Sequence, residues 1–177
     1  MLICESERLR LRELVPQSDA DFILRLLNDP SFLANIGDRG VRTRAEAERY
    51  IETGPVACYE RFGYGLLAVE LKHSGVPIGL CGLLKRTWLM LPDIGFAYLP
   101  EFWGKGYAFE AASAVLSWAR DHRDITELCA ITAPDNRGSI RVLEKLGFAF
   151  ERVVRSPEGQ QSRLFRCSIP PVSRTRR

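Results

Sequence analysis

One segment, residues 93–118, constrains the fold more than any other, because an apolar run, a turn with two glycines and an alanine-rich stretch follow directly on one another. The run Ile94–Leu99 contains aromatic residues and stops at Pro100, which predicts a mostly buried strand. From Ala108 onward, apolar residues recur at helical spacing. A strand, a glycine turn and a helix in succession place the free N–H groups of a helix N-terminus at the end of the strand. Such a place favours a phosphate group, since the unpaired donors and the positive end of the helix dipole coincide there.

The glycine turn carries a family resemblance. It lacks G-x-x-x-x-G-K-[ST], and Phe109 stands where the third glycine of G-x-G-x-x-G would lie. It resembles [QR]-x-x-G-x-[GA], the acetyl-CoA pyrophosphate loop of GCN5-related N-acetyltransferases, with Trp103 at the first position. The longer string PEFWGKGYA is similar to the RimJ/RimL-like branch, the N-terminal acetyltransferases of ribosomal proteins. The resemblance implies that acetyl-CoA is the co-substrate and that the turn binds it through Trp103, Gly104, Lys105, Gly106, Tyr107 and Ala108.

A second motif follows at Pro134–Phe148 and resembles the family's N-x-x-S-…-x-K-x-G-F segment. The resemblance implies that Asn136 hydrogen-bonds the pantetheine arm of the cofactor and that Ser139 lies near its sulfur. Taken by themselves, the two residues are equally typical of a helix start, with Asn136 as the cap and Ser139 as a hydroxyl that bonds the backbone. The sequence is compatible with both roles, cofactor binding and helix capping.

Acetyl transfer to an amine needs an acceptor for the amine proton, a donor for the carbonyl oxygen and a proton for the departing thiolate. Asp93 begins the predicted strand and is the candidate base, directly or through water; the alternative is a solvated carboxylate at a strand entrance. The resemblance implies that the backbone of Ala97, Tyr98 and Leu99 pairs with pantetheine and that one of its N–H groups polarises the thioester. Ser139 is the candidate acid.

Two departures from the family pattern keep other functions open. The family more often has Glu at the position of Asp93, and many members have a Tyr where this chain has Leu143. These departures favour the alternative of a non-catalytic CoA-binding module, and a different acyl-CoA, such as succinyl-CoA, is a further alternative. The expected acceptor is a primary amine, either a protein N-terminus or a small molecule, and a homodimer is left open.

Composition narrows the class of protein. The chain has 177 residues, of which 46% are hydrophobic, which predicts one acetyltransferase domain over residues 1–170. Charged residues interrupt the first dozen positions and the longest uncharged run, 73–84, is too short to cross a bilayer, so we expect a cytoplasmic protein without membrane contact. Five scattered cysteines and two distant histidines give no metal spacing.

The net charge of +3 does not indicate a nucleic-acid partner. Three basic residues lie in the last four positions, and the rest of the chain balances 22 basic against 22 acidic residues. We therefore expect no nucleic-acid partner and a disordered basic tail over residues 171–177.

The predicted element order is β-α-α-β-β-β-α-β-α-β-β. It includes a capping box at Thr43 and Glu46 and hairpins around residues 72–75 and 157–159. The order predicts an α/β (α+β) fold, a mostly antiparallel sheet with one parallel crossover from Asp93 to Thr132. The resemblance implies seven strands flanked by helices, with the fourth and fifth strands splayed apart to admit the pantetheine arm.

Overall fold

A single mixed sheet of eight strands runs through the protein in the computed structural model, which describes residues 1–170. The strands are β1 (Leu2–Glu5), β2 (Leu9–Arg12), β3 (Leu66–Leu71), β4 (Pro77–Leu84), β5 (Asp93–Tyr98), β6 (Glu127–Thr132), β7 (Ala149–Arg155) and β8 (Gln161–Ser168). Their order across the sheet is β1-β2-β3-β4-β5-β6-β8-β7. All neighbouring pairs are antiparallel except β5 and β6, as the predicted crossover requires.

The expected count of seven strands is wrong by one, because the N-terminus contributes two strands where the sequence predicts one over residues 7–15. β1 occupies the sheet edge and its side chains are exposed or half-buried, so it lacks the apolar alternation that marks a strand in a sequence. A tight turn joins it to β2, with the N–H of Ser6 donating to the carbonyl of Leu9 at 3.0 Å.

The helices are α1 (Pro16–Leu27), α2 (Pro30–Asn35), α3 (Arg44–Ile51), α4 (Ala57–Phe62), α5 (Tyr107–Arg123) and α6 (Arg137–Lys145). The capping box at the start of α3 is confirmed. The sequence does not predict α2 or α4. A π-helical turn, Glu52–Val56, joins α3 to α4 and accommodates Pro55, whereas the Gly-Pro pair in it is typical of a break.

The two faces of the sheet carry separate hydrophobic cores. On one face, α5 packs through Val115 against a cluster that includes Ile94 and Tyr98 of β5. On the other face, α1 and α3 pack against a cluster that includes Ala97 and Leu99. Successive side chains of β5 therefore enter opposite cores, and helices cover the strand on both faces.

Two further findings concern residues 1–170. No helix in that range is both long and apolar enough to span a bilayer. The same residues contain no group of three or more His, Cys, Asp or Glu side chains placed to hold a metal ion. The predicted basic tail, 171–177, lies outside the described residues.

Candidate active site

β5 and β6 are paired only where β5 begins. Their one register pair is Asp93 with Cys129, and the N–H of Cys129 donates to the carbonyl of Pro92 at 2.9 Å. On the other edge of β5, the N–H of Leu99 donates to the carbonyl of Ile78 at 3.0 Å. Backbone groups alternate in direction along an extended strand, so the N–H groups of Phe96 and Tyr98 point toward β6. No register pair joins β6 to β5 beyond Asp93, so these groups face an open gap.

Trp103 closes one end of this gap. Its indole N–H donates to the carbonyl of Tyr98 at 2.8 Å, although 52% of the residue remains exposed. The contact ties the glycine turn to the end of β5. Of the three backbone positions singled out in the sequence, Tyr98 therefore keeps its N–H for a ligand, while the N–H of Leu99 is engaged with β4.

The glycine turn presents its backbone to solvent. Gly104 and Gly106 have φ values of 71° and 82°, in the left-handed region where side chains are disfavoured. Within residues 1–170, the N–H groups from Gly104 to Ala108 have no hydrogen-bond partner. Five adjacent free donors at the start of α5 form a site for an anionic group such as a pyrophosphate, and the residues therefore fit the cofactor expected from the sequence.

A carboxylate in the first turn of α5 holds this turn against the β1–β2 connection. Glu110 accepts from the hydroxyl of Ser6 at 2.7 Å and from the N–H of Arg8 at 2.8 Å. It also pairs with the Arg8 guanidinium at 2.6 Å, which in turn covers the ring of Tyr107 at 4.5 Å. The sequence analysis missed this contact, because about a hundred residues separate its partners.

A cavity of about 330 Å³ opens where β5 and β6 diverge, and it brings the two sequence motifs together. Asp93, Asn136 and Ser139 all line it. The Asn136 side chain accepts from the N–H of Ser139 at 3.2 Å, which confirms its role as a helix cap. Leu143 lines the same cavity and is buried, so an apolar side chain stands where many family members have a tyrosine.

Asp93 is the buried acid of this cavity, with 1% of its surface exposed. Arg86 Nε donates to its Oδ2 at 2.6 Å, and within residues 1–170 its Oδ1 has no hydrogen-bond partner. Burial raises the pKa of Asp93 from its ordinary 3.8 to about 6, against the opposing effect of the positive charge on Arg86. A carboxylate with such a pKa exchanges protons close to neutral pH.

The structure also places residues in the cavity that the sequence did not single out. They are Arg39, Tyr50, Arg86, Thr132 and Ser162. Thr132 Oγ1 is buried and has no partner in the described part of the chain. Arg86 lies just after the apolar strand β4, and a basic residue at that place is the one signal that would have drawn attention to it.

A mixed sheet that opens beside a parallel pair, with free donors at one end of the opening and a buried acid at the other, defines a class of acyltransferases that use a long thioester donor. Comparison with known proteins supports this assignment to the acyltransferases. The family model for the acetyltransferase (GNAT) domain matches residues 8–149. The chain belongs to this GNAT acetyltransferase family.

Similar proteins extend over most of the chain. YkkB of Bacillus subtilis is 28% identical over 152 residues, which cover 85% of this chain and 87% of YkkB. The N-acetyltransferase YoaA of the same organism is 28% identical over 155 residues, 86% of each chain. Among solved structures, the ribosomal L7/L12 alpha-N-protein acetyltransferase RimL in complex with coenzyme A has the same fold, with a TM-score of 0.82 at 17% identity and coverage of 96% and 98%.

Proposed function

We propose that the protein transfers an acetyl group from acetyl-CoA to a primary amine by direct transfer, with both substrates bound together. The position of Asp93 carries this proposal. It is a buried carboxylate with one free oxygen and a pKa of about 6, and it shares a cavity with Asn136 and Ser139. The named enzymes among its relatives are N-acetyltransferases, which supports the same reaction.

In the proposed step, the amine nitrogen attacks the thioester carbonyl carbon, the N–C bond forms and the C–S bond breaks. Asp93 accepts the proton that the amine gives up, directly or through water. The free N–H of Phe96 is the donor for the carbonyl oxygen, on which negative charge develops. Ser139 is the donor for the departing thiolate, because Leu143 supplies no hydroxyl.

The cofactor residues follow the opening in the sheet. In our proposal the open edge of β5 pairs with the pantetheine arm through the N–H of Tyr98, whereas Ala97 and Leu99 direct their N–H groups toward β4 and do not pair with the arm. The turn Trp103–Ala108 binds the pyrophosphate through its free backbone donors, and Lys105 adds a positive charge. Asn136 hydrogen-bonds the arm from the opposite side of the gap.

The acceptor is a protein N-terminus or a small amine. RimL, by its name, acetylates the α-amino group of ribosomal protein L7/L12. The cytoplasmic location, the homodimer and the single domain over residues 1–170 stay predictions.

Thermal unfolding with acetyl-CoA, beside free CoA, ATP and NAD, is the first test. A ligand that binds only the folded protein adds roughly 2.7 kcal/mol at 100 times its Kd. For a chain of this length that raises the Tm by several degrees, at about 2–4 °C per kcal/mol. Absence of any shift at millimolar acetyl-CoA would refute cofactor binding.

Turnover is the second test. Thiol release with a panel of amines should be found, and Asp93→Asn should lower kcat by ~10²–10⁴-fold, the usual contribution of a positioned base. Cofactor binding without release for any amine would assign the chain to the non-catalytic alternative. Release with succinyl-CoA in preference to acetyl-CoA would assign another acyl donor.

A further inference from the structure

We propose that the acceptor is a small primary amine that carries a carboxylate or phosphate group a few bonds from its nitrogen, and that Arg86 and Arg39 bind this anionic group. The inference rests on the proposed function and names its substrate class. It follows from the charges that surround Asp93 rather than from the cofactor side of the cavity.

Arg86 offers a free anion-binding edge next to the proposed base. Its Nε donates to Asp93 Oδ2 at 2.6 Å, and no hydrogen bond from its two terminal amino groups is found within residues 1–170. A guanidinium binds carboxylate and phosphate through paired N–H groups in one plane. An anionic group bound to this edge would be separated from the Asp93 carboxylate by about the width of one guanidinium.

Arg39 provides a second positive charge at the same cavity. It lies between α2 and α3, lines the cavity and forms no ion pair with any described residue. The neighbouring arginines are already engaged, since Arg42 pairs with Asp38 and Arg44 with Asp21. Arg39 is thus the arginine of this loop that is available to a ligand.

The charges of Arg39 and Arg86 also act on two other side chains, Tyr50 and Glu158. Burial raises the pKa of Tyr50, and the charges of Arg39 and Arg86 oppose that shift. The pKa of Glu158, in the β7–β8 turn, is lowered first by its own backbone N–H and the Ser156 hydroxyl, and further by Arg86 and Arg39. Glu158 is the nearby countercharge, but within residues 1–170 it forms no ion pair with either arginine.

The balance of charge at the cavity therefore favours an acceptor with an anionic group. Among residues 1–170, two guanidiniums line it and only one carboxylate does. An amine without a negative charge would leave the terminal amino groups of Arg86 and the whole of Arg39 without a partner. The short span from the free edge of Arg86 to Asp93 limits the distance between the anionic group and the reacting nitrogen to a few bonds.

The test compares matched acceptors in the full-length enzyme with acetyl-CoA. Each anionic probe is paired with a neutral one: β-alanine with β-alaninamide, glycine with glycinamide, and 2-aminoethyl phosphate with ethanolamine. Comparison of the two carboxylate probes with the phosphate probe shows which of the two anionic groups the site prefers. Variants are Arg39→Gln and, as a control with the same change of charge, Lys85→Gln, whose exposed side chain does not line the cavity.

We expect at least one anionic probe to have the higher kcat/KM of its pair. Arg39→Gln should lower kcat/KM for that probe roughly 10- to 100-fold, the usual effect of losing a hydrogen bond to a charged group, and leave the neutral probe unchanged. Lys85→Gln should change neither. The inference is overturned if the neutral probes are preferred, if Arg39→Gln slows both members of a pair equally, or if an acidic peptide outcompetes every small probe.

A binding measurement keeps the inference testable without turnover. With saturating free CoA, the preferred anionic probe should raise the Tm more than its neutral partner, and Arg39→Gln should remove the difference. Equal shifts would overturn the anion site. An enzyme that binds acetyl-CoA and acetylates only neutral amines would retain the proposed function and lose this inference, whereas a protein without cofactor binding would lose the proposed function itself.

Discussion

At the scale of single residues, the burial of Asp93 carries a stability cost that the positive charge of Arg86 only partly offsets. An acid whose pKa is raised in the folded protein stabilises the fold most when protonated. That contribution is complete below the unfolded value near 3.8 and is lost as the pH rises to about 6. The difference between the pKa values of Asp93 in the unfolded and the folded protein corresponds to about 3 kcal/mol of stability. The protein therefore holds an ionised group in a buried place at neutral pH, where catalysis would use it.

The variant Asp93→Asn should separate stability from activity. The amide cannot ionise, so we expect a free energy of unfolding above that of the wild type by as much as ~3 kcal/mol at pH 8, and no gain near pH 4. Urea denaturation at both pH values measures it, and thiol release from the same preparation should be nearly abolished. A variant that is less stable than the wild type at pH 8 would contradict this account of the buried charge.

Arg86 should set the pH at which the enzyme becomes active. Its charge lowers the pKa of Asp93, so Arg86→Gln removes that effect and raises the pKa. If Asp93 is the base, the acidic limb of the kcat/KM profile lies near pH 6 in the wild type and moves to higher pH in the variant. The profile is measured with a neutral amine, so that lost anion binding does not interfere. Lys85→Gln is the matched control and should leave the limb in place.

At the scale of elements, the glycine turn and the first turn of α5 act as one unit. Gly106 has a φ of 82°, so a side chain there strains the backbone, while its Cβ would make an ordinary van der Waals contact of 3.4 Å with Arg8 Nη2. In the unsubstituted turn, Trp103 and Glu110 fix the two ends of the unit.

Substitution of Gly106 should therefore weaken cofactor binding in particular. Gly106→Ala is expected to raise the Kd for acetyl-CoA, because the free N–H groups of the turn change direction. Gly75→Ala is the matched control: its φ is 68°, nothing lies within 4 Å of the added Cβ, and it sits in the β3–β4 hairpin. Both variants should lose about 1 kcal/mol of stability from the left-handed backbone. Calorimetric titration distinguishes them, and equal Kd values would show that the turn does not bind the cofactor.

The sequence predicts elements that have a strong local pattern and misses those that depend on distant partners. β6, Glu127–Thr132, ends at Thr132 as the predicted crossover does, and its apolar run from Leu128 to Ile131 is a strong local signal. β1 is held in place by pairing with β2 at the sheet edge, which no local pattern shows. The glycine turn is recognisable for the same local reason, whereas Arg86 and Arg39 come to line one cavity with Asp93 only once the loops before β5 and after α2 have folded.

At the scale of the whole molecule, one guanidinium joins three elements on the side of the sheet away from α5. Arg12 of β2 forms two hydrogen bonds with Asp19 of α1, at 2.7 and 2.8 Å, and a third with Glu70 of β3 at 2.7 Å. Asp19 also accepts from the N–H of Val15 and is 2% exposed. This network fixes α1 against the sheet, and α1 packs on α3, which carries Tyr50 to the cavity mouth.

Removal of this guanidinium should be among the most destabilising single changes in the chain. Arg12→Ala leaves Asp19 buried without its partner, and we expect a loss of about 3–5 kcal/mol in the free energy of unfolding. Arg44→Ala removes a surface ion pair with Asp21 and should cost ~1 kcal/mol or less. Urea denaturation at pH 7 compares the two variants. Equal losses would show that the Arg12 network contributes no more than an ordinary surface pair.

The opening between β5 and β6 would also make the stability of the fold depend on the cofactor proposed to bind there. The sheet consists of two half-sheets, β1–β5 and β6–β8, which a single register pair joins. A pantetheine arm in the opening would occupy the place of a strand, and its hydrogen bonds would join the two half-sheets along the gap. The resistance of the protein to local opening, and hence to proteases that cut opened chains, would then rise and fall with the concentration of its own co-substrate.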